Sequence, residues 1–272
     1  MKPAVHTLVS NKISGNLRQT KTTDGQDHPS YFYRMATGNV RPPRKTASSR
    51  SKASRVMSSP DKVVEAISNG ILARRYGVGH RLVEADLANN FNVSRGTVRE
   101  ALKKLAAQGV VRLDPHRGAA IRPLSRREAE CLVIVLEVLC GLAARLAAEK
   151  IAQGRSRVRF IAAANLLDGK TTTGSEQFLS DRAHYYAEIL DIAENAELNR
   201  LMPVPQIHLF RSQFHNFLGP NNIKAMQKEY REVSAAILAG DGALAEKRMR
   251  KHMSKTRERI ATLDEQAFDQ QY

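Results

Sequence analysis

The sequence predicts a mainly α-helical chain, on three observations. Apolar residues recur at helical spacing from Pro60 onward. The longest apolar run, Cys131 to Ala148, is helix-length and is interrupted only by Glu137 and Arg145. Between these lie two short β-prone runs, Val110 to Leu113 and Ala119 to Arg122.

At 272 residues the chain is long enough for two domains, each with its own core. The net charge of +16 points to a polyanionic partner, nucleic acid or an anionic membrane. Its distribution is uneven. Met1 to Ser58 holds 11 Lys and Arg against 2 Asp and Glu, Ser59 to Arg127 holds 13 against 6, and Glu128 to Tyr272 holds 19 of each. All of the excess therefore lies before residue 128, and the neutral C-terminal half is expected to do something other than bind a polyanion.

Residues 1–58 are rich in Ser, Thr, Lys, Arg, Gly and Pro, without hydrophobic periodicity. Such a segment buries too little surface to offset its ordering entropy, so disorder is expected. It reads either as a basic arm adding phosphate contacts or as an extension with no role.

In "DKVVEAISNGILARR", Val63, Val64, Ile67, Ile71 and Leu72 fall at helical spacing, with Asp61 placed to favour the helix dipole. After the glycines of "YGVGHRL", "EADLANNF" predicts a short helix offering Ala85, Leu87, Ala88 and Phe91 to a core. Ser94 is a natural N-cap for a third helix, Arg95 to about Gln108. In that helix Val98, Ala101, Leu102 and Leu105 face the core, while Arg95, Arg99 and Lys103 repeat every four residues on the outward side. A helix-turn-helix lays such a second helix in the DNA major groove, where Arg reads guanine O6 and N7, and Thr97 can reach a base or a phosphate. The two β-prone runs are joined by Asp-Pro-His-Arg-Gly, with Pro115 and Gly118 as turn residues, and so form a wing with His116 and Arg117 at its tip.

Only Cys131 and Cys140 occur, nine residues apart and hence on opposite sides of their helix, which argues against a disulfide or a shared metal. No secretory apolar region stands near the start, and a reduced cytoplasmic setting is expected. The run Cys131 to Ala148 is short for a membrane span and reads as a buried helix.

From about Asp61 to Leu124 the sequence resembles the winged helix-turn-helix of GntR-family transcriptional regulators. "GHRLVEADLANNFNVSRGTVREALKKLAAQGVVRLDPHRGAAI" carries the family's L-x-E, VSR, VREAL and wing RG elements at their spacing. The resemblance implies DNA contact by Ser94, Arg95, Thr97 and Arg99, and by Arg117 and Gly118 in the wing. Gly96 stands where relatives often carry a hydroxyl residue, which removes one contact. The remainder resembles, more weakly, the FCD domain of the FadR-like subfamily, through "GLAARLAAEKI", "AENAELNRLM" and "VSAAILAGDGALAEKRMRKHM". That implies a bundle of six or seven helices around a cavity, its last helix starting near Asp241 after Gly240.

Many relatives bind a divalent metal in that cavity through an Asp and three His, and some fix a carboxylate effector with an Arg on the first bundle helix. At the matching positions this chain has Arg182, Tyr186 and Tyr230, and only His252 is retained; Leu136 and Cys140 replace the Arg and Glu of the first bundle helix. One His does not hold zinc or manganese. The expectation is a cavity lined by Leu136, Cys140, Arg182, Tyr186, Tyr230 and His252, without a metal cofactor, for a more apolar or differently charged ligand or for none. A shifted alignment would instead assemble Asp181, His184, His215 and His252. Taken singly, His184, His208 and His215 read as surface or hydrogen-bonded histidines.

Together these readings describe residues 1–58 as a basic arm, 59–125 as a winged helix-turn-helix and 126–272 as an all-helical, effector-binding and dimerising domain. The expected partners are a double-stranded DNA operator, a small-molecule effector and a second copy of the chain, with no membrane. The joining segment around Arg122 to Glu130 is the expected relay. Two rivals stand beside this. An enzyme would need a nucleophile triad, a Gly-rich phosphate loop or a metal-spaced His pair, and the sequence offers none. A non-specific architectural DNA-binding protein would be driven by the basic arm alone.

Overall fold

A computed structural model describes residues 59–114, 118–151, 154–168 and 176–268. The basic arm and the wing-tip residues His116 and Arg117 lie outside the described residues.

The N-terminal part is a winged helix-turn-helix. Helix α1 spans Ser59–Leu72, β1 Arg81–Leu82, α2 Glu84–Phe91, α3 Arg95–Ala107, β2 Val111–Asp114 and β3 Gly118–Ile121. Val63, Ile67 and Ile71 of α1 meet Leu87 of α2 and Val98, Leu102 and Leu105 of α3 in one core, all buried. The turn between α2 and α3 passes through Asn92 in the left-handed region at φ 52°, where Asn is tolerated better than most residues. Ser94 then caps α3, its Oγ accepting the Thr97 N–H at 3.1 Å.

The sheet has the order β1-β3-β2, antiparallel throughout, with Val111 opposite Ile121 and Leu82 opposite Ala119. Both wing strands lie one residue from their expected bounds, because Val110 and Arg122 only continue the pairing through a single bond, Arg122 N–H to Val110 O at 3.0 Å. Strand β1 was not expected from the sequence. Two residues carry no alternation, and only the pairing with β3 defines them as a strand.

Among the described residues seven α-helices follow: α4 Arg126–Lys150, α5 Arg155–Asp168, α6 Glu176–Ala193, α7 Ala196–Leu201, α8 Val204–Phe214, α9 Pro220–Leu238 and α10 Gly242–Ala261. A capping box starts α4, with Ser125 and Glu128 bonding each other's backbone N–H. Helix α10 runs antiparallel along α4, since Arg126 reaches the carbonyls of Ile260 and Ala261 at 3.2 and 3.0 Å while Arg145 meets Glu246 at 3.4 Å. Small residues make that approach possible: Ala143, Ala144, Ala147 and Ala148 are buried, and a Cβ on Gly141 would stand 2.8 Å from Arg250 Cγ. Gly240, at φ +76°, ends α9, and Asp241 caps α10 by accepting the Leu244 N–H at 2.9 Å.

By length and composition α4 could cross a membrane, and 44% of its most apolar window is buried inside the protein. Cys140 faces inward and Cys131 outward. Beside Cys131, Ile134, Val135 and Val138 stay 46, 51 and 49% exposed, an apolar stripe along one side of α4.

The two parts meet through α1 and α8. The buried His208 of α8 donates from Nδ1–H to the Ser68 carbonyl of α1 at 3.1 Å. Gln213, one turn on, accepts the Leu124 N–H at 2.8 Å and donates to the carbonyls of Leu124 and Ala267 at 3.0 Å each. In the joining segment Arg122 bonds the Gly109 carbonyl and the Glu128 carboxylate, tying the wing to the start of α4.

Candidate DNA interface and ligand cavity

Helix α3 is amphipathic in the sense DNA reading requires. Val98, Ala101, Leu102 and Leu105 are buried, while Ser94, Arg95, Arg99 and Lys103 are exposed and Thr97 is half-buried. Ser94 Oγ and Thr97 Oγ1 stand 2.9 Å apart, so the two hydroxyls form one polar group at the N-terminus of α3. A Cβ on Gly96 would meet only Ser94 Oγ, at 3.6 Å; packing leaves room for a side chain there. Gly118 is exposed at φ +85°, where the wing turns into β3.

The cations are not equally free. Arg99 is held edge-on by Glu84 at the start of α2, Nε to Oε1 at 3.0 Å and Nη2 to Oε2 at 2.8 Å. That hydrogen bonding holds the Glu84 carboxyl below its usual range. The pair fixes the guanidinium plane and leaves its other edge outward. Lys103 pairs with Glu100 at 3.0 Å, and the neighbouring Lys104 ties α3 to Asp61 of α1 at 2.6 Å. Arg95 makes no ion pair among the described residues. Sequence spacing predicts the outward row but not the carboxylates, because Glu84 is 15 residues from Arg99.

The cavity lies inside the helical part and measures about 50 Å³. Leu136 and Cys140 of α4, Arg182 and Tyr186 of α6, and His252 of α10 line it. Tyr230 stands behind this wall. It accepts a hydrogen bond from Arg182 Nε at 3.0 Å, and its ring centroid lies 4.6 Å from that of His252; Tyr230 opens instead onto a second, outer cleft of about 230 Å³ between α5 and α9.

Sequence reasoning missed α8, which supplies Val204, Ile207, His208, Phe210 and Arg211 to the wall. A signal was present, an arginine set among apolar residues in "IHLFRSQF". Arg211 is 8% exposed, and its guanidinium carbon lies 4.8 Å from the Tyr186 ring centroid. Burial, and then the charge of Arg182, push it down to about 10. Burial likewise pushes the Cys140 thiol up to about 12, which keeps it protonated, and pushes His208 down to about 3, which keeps it neutral.

His252 bonds Glu229 through Nδ1 at 2.7 Å, and its buried Nε2, in the cavity wall, has no hydrogen-bond partner among the described residues. Glu229 also takes Arg259 at 2.6 Å and Lys255 at 3.2 Å. Burial works to raise the Glu229 carboxyl, but the hydrogen bonds from His252 and Arg259 outweigh it and hold it at about 2. Of the shifted set of Asp181, His184, His215 and His252, Asp181 accepts from Gln177 at 2.7 Å, and His215 sits in the 3-10 turn after α8. Among the described residues no group of three or more His, Cys, Asp or Glu is placed to hold a metal ion.

Comparison with known proteins bears on both halves. The family model described as bacterial regulatory proteins, gntR family, matches residues 60–121, and the FCD domain model matches residues 132–255. A relative in Paenarthrobacter nicotinovorans, named a probable D-xylose utilization operon transcriptional repressor, is 27% identical over 71% of this chain and 83% of its own. Among solved structures, E. coli McbR/YncC superposes with a TM-score of 0.63 at 17% identity, covering 76% of this chain and 98% of that one. A GntR-type structure from Rhodococcus sp. RHA1 gives 0.61 at 20% identity, covering 76% and 100%. At those identities the structural matches establish the shared fold.

Proposed function

The chain belongs to the GntR family of bacterial regulatory proteins, its winged helix joined to an FCD domain, and on that premise we propose that it is a dimeric repressor that binds a short palindromic operator and responds to a small molecule in its helical half. Residues 59–125 read the DNA, residues 126–272 dimerise and take the effector, and residues 1–58 add phosphate contacts. It acts in the cytoplasm and performs no chemistry of its own. The name of the Paenarthrobacter relative favours repression over activation.

The observation that carries this reading is α3. It is a capped helix with one face buried, an exposed row of Arg95, Arg99 and Lys103 on the other, and paired hydroxyls at its N-terminus. Base edges are read by Arg99, phosphates by Arg95, Lys103, Ser94 and Thr97, and the wing adds His116, Arg117 and Gly118. The apolar stripe Ile134, Val135 and Val138 beside Cys131 supports dimerisation, since a second copy related by a two-fold axis would cover it with the same stripe.

Helix α8 supplies a route between the sites. One side of it walls the cavity, while His208 and Gln213 bond α1 and the joining segment. A ligand that shifts α8 shifts the docking of the winged helix, and so distinguishes the two arrangements, as any effector must. The joining segment, with Arg122, Glu128 and Leu124, belongs to the same contact rather than acting alone.

Selection of bound fragments from random duplex DNA at near-physiological salt tests the proposal. A short inverted repeat is expected. Equal retention of all sequences would overturn it in favour of an architectural protein, because contacts made only to phosphate carry no base preference. Repeating the selection with residues 59–272 shows what the arm contributes.

A further inference from the structure

The cavity's charges do not balance. Arg182 and Arg211 are 6% and 8% exposed, both line the cavity, and neither makes an ion pair with a carboxylate among the described residues. Among the described residues Arg182 donates one hydrogen bond, from Nε to the Tyr230 hydroxyl, and its guanidinium lies 5.7 Å from the Phe178 ring centroid. Arg211 has the Tyr186 ring and no hydrogen-bond partner among the described residues. The nearby Glu229 is already shared by His252, Lys255 and Arg259. Buried charges are ordinarily paired, because an unpaired one forfeits its hydration without return. Two of them facing one space indicate what the space receives.

The rest of the wall narrows the class. Val133, Leu136, Leu190, Val204, Phe210 and Met253 are apolar. Beside the two arginines, His252 Nε2 is the unpartnered polar atom of the wall among the described residues, so a ligand with many hydroxyls would leave most of them unsatisfied against those apolar side chains. A carboxylate presents two coplanar oxygens, which suit the parallel N–H groups of a guanidinium. The arginines sit on α6 and α8, not on the first bundle helix, where this chain has Leu136.

We propose that the cavity is a metal-independent receptor for an organic carboxylate with an apolar body, the carboxylate held between Arg182 and Arg211 and the apolar body lying against α4 and α10. The inference rests on the effector-binding reading of the helical half. At about 50 Å³ the cavity admits only a few water-sized groups as it stands, so a larger ligand enters by displacing wall residues. Met202 and Met253, both in the wall, are unbranched and adapt at low cost.

The test uses the full chain, desalted from a chelator, with hexanoate and benzoate as probes and hexanamide and benzamide as neutral isosteres. Thermal unfolding is read first. The carboxylates are expected to raise Tm by a few degrees at saturating concentration, and the amides to leave it unchanged. Arg211→Met and Arg182→Met should each weaken carboxylate binding by about tenfold or more, while Arg211→Lys, which keeps the charge, should lose less. Unliganded melting of each variant shows that it folds. Equal stabilisation by acid and amide, a response only after zinc or manganese is added, a response that survives both Met substitutions, or none to any probe would each overturn the proposal. Operator binding is read second, and separately. A carboxylate that binds through both arginines but leaves operator affinity unchanged would uphold the anion site and sink the regulatory reading.

Discussion

The arginines of α3 and those of the cavity carry the same charge in opposite surroundings. Arg99 is exposed to water and nonetheless engaged by a carboxylate, Glu84, on the neighbouring helix. Arg182 and Arg211 are buried and have no carboxylate partner among the described residues. On energetic grounds the reverse is expected, since a surface ion pair contributes little and a buried unpaired charge costs much. The two arrangements serve different ends. The carboxylate on Arg99 aims a side chain that would otherwise sample many rotamers, whereas the absence of one beside Arg211 leaves a charge for a ligand to neutralise.

The largest effect should come from removing charges inside the helical half. Glu229→Ala strands His252, Lys255 and Arg259 around an empty position and should destabilise the protein by about 3–5 kcal/mol in urea unfolding. Arg211→Met should cost nothing or stabilise, because it removes a buried charge without stranding a partner. A loss from Arg211→Met comparable to that from Glu229→Ala would mean that Arg211 is structural.

Acid should come next. The folded pKa of His208 lies at about 3, below its ordinary 6.5, so its contribution is present above 6.5 and is lost as pH falls from there toward 3. Glu229, held at about 2 against 4.5, loses its own contribution over the lower range from 4.5 to 2. His208→Gln keeps an N–H donor for the Ser68 carbonyl but does not titrate; its stability should therefore fall less steeply than the wild type's between pH 6.5 and 4.5. Identical slopes would show that His208 protonation is not what acid acts on at the α1–α8 contact.

On the DNA side the effects are smaller and should appear in affinity. Arg99→Ala should cost about 1–3 kcal/mol on the selected operator and relax preference at one base pair. Equal loss on operator and random DNA would assign Arg99 to phosphate. Smallest is Ser94→Ala, about 1 kcal/mol of stability from the lost cap, measured by chemical unfolding.

Legibility followed the range of the interactions. Local spacing was enough to read α3, its Ser94 cap, its buried face and its outward arginines, as it was for the Gly240–Asp241 junction before α10. Strand β1 escaped because two residues have no period, and Tyr230 was assigned to the cavity because matching positions along a helix does not say which residue stands in front of which. Arg211 and the whole of α8 escaped because an arginine among apolar residues reads equally as a helix edge or a buried charge.

The helical class, the winged helix with its cationic row, the family resemblance and the concentration of positive charge before residue 128 are all legible along the chain. These rest on periodicity, caps and turns, which act within a few residues. Packing settles that Glu84 holds Arg99, that Glu229 bonds His252 Nδ1, that α8 joins the cavity to α1, and that two arginines face one space with no carboxylate beside them among the described residues. Each of these depends on residues far apart in the chain meeting in a low-dielectric interior or across a helix interface, and on whether a charge finds its partner there.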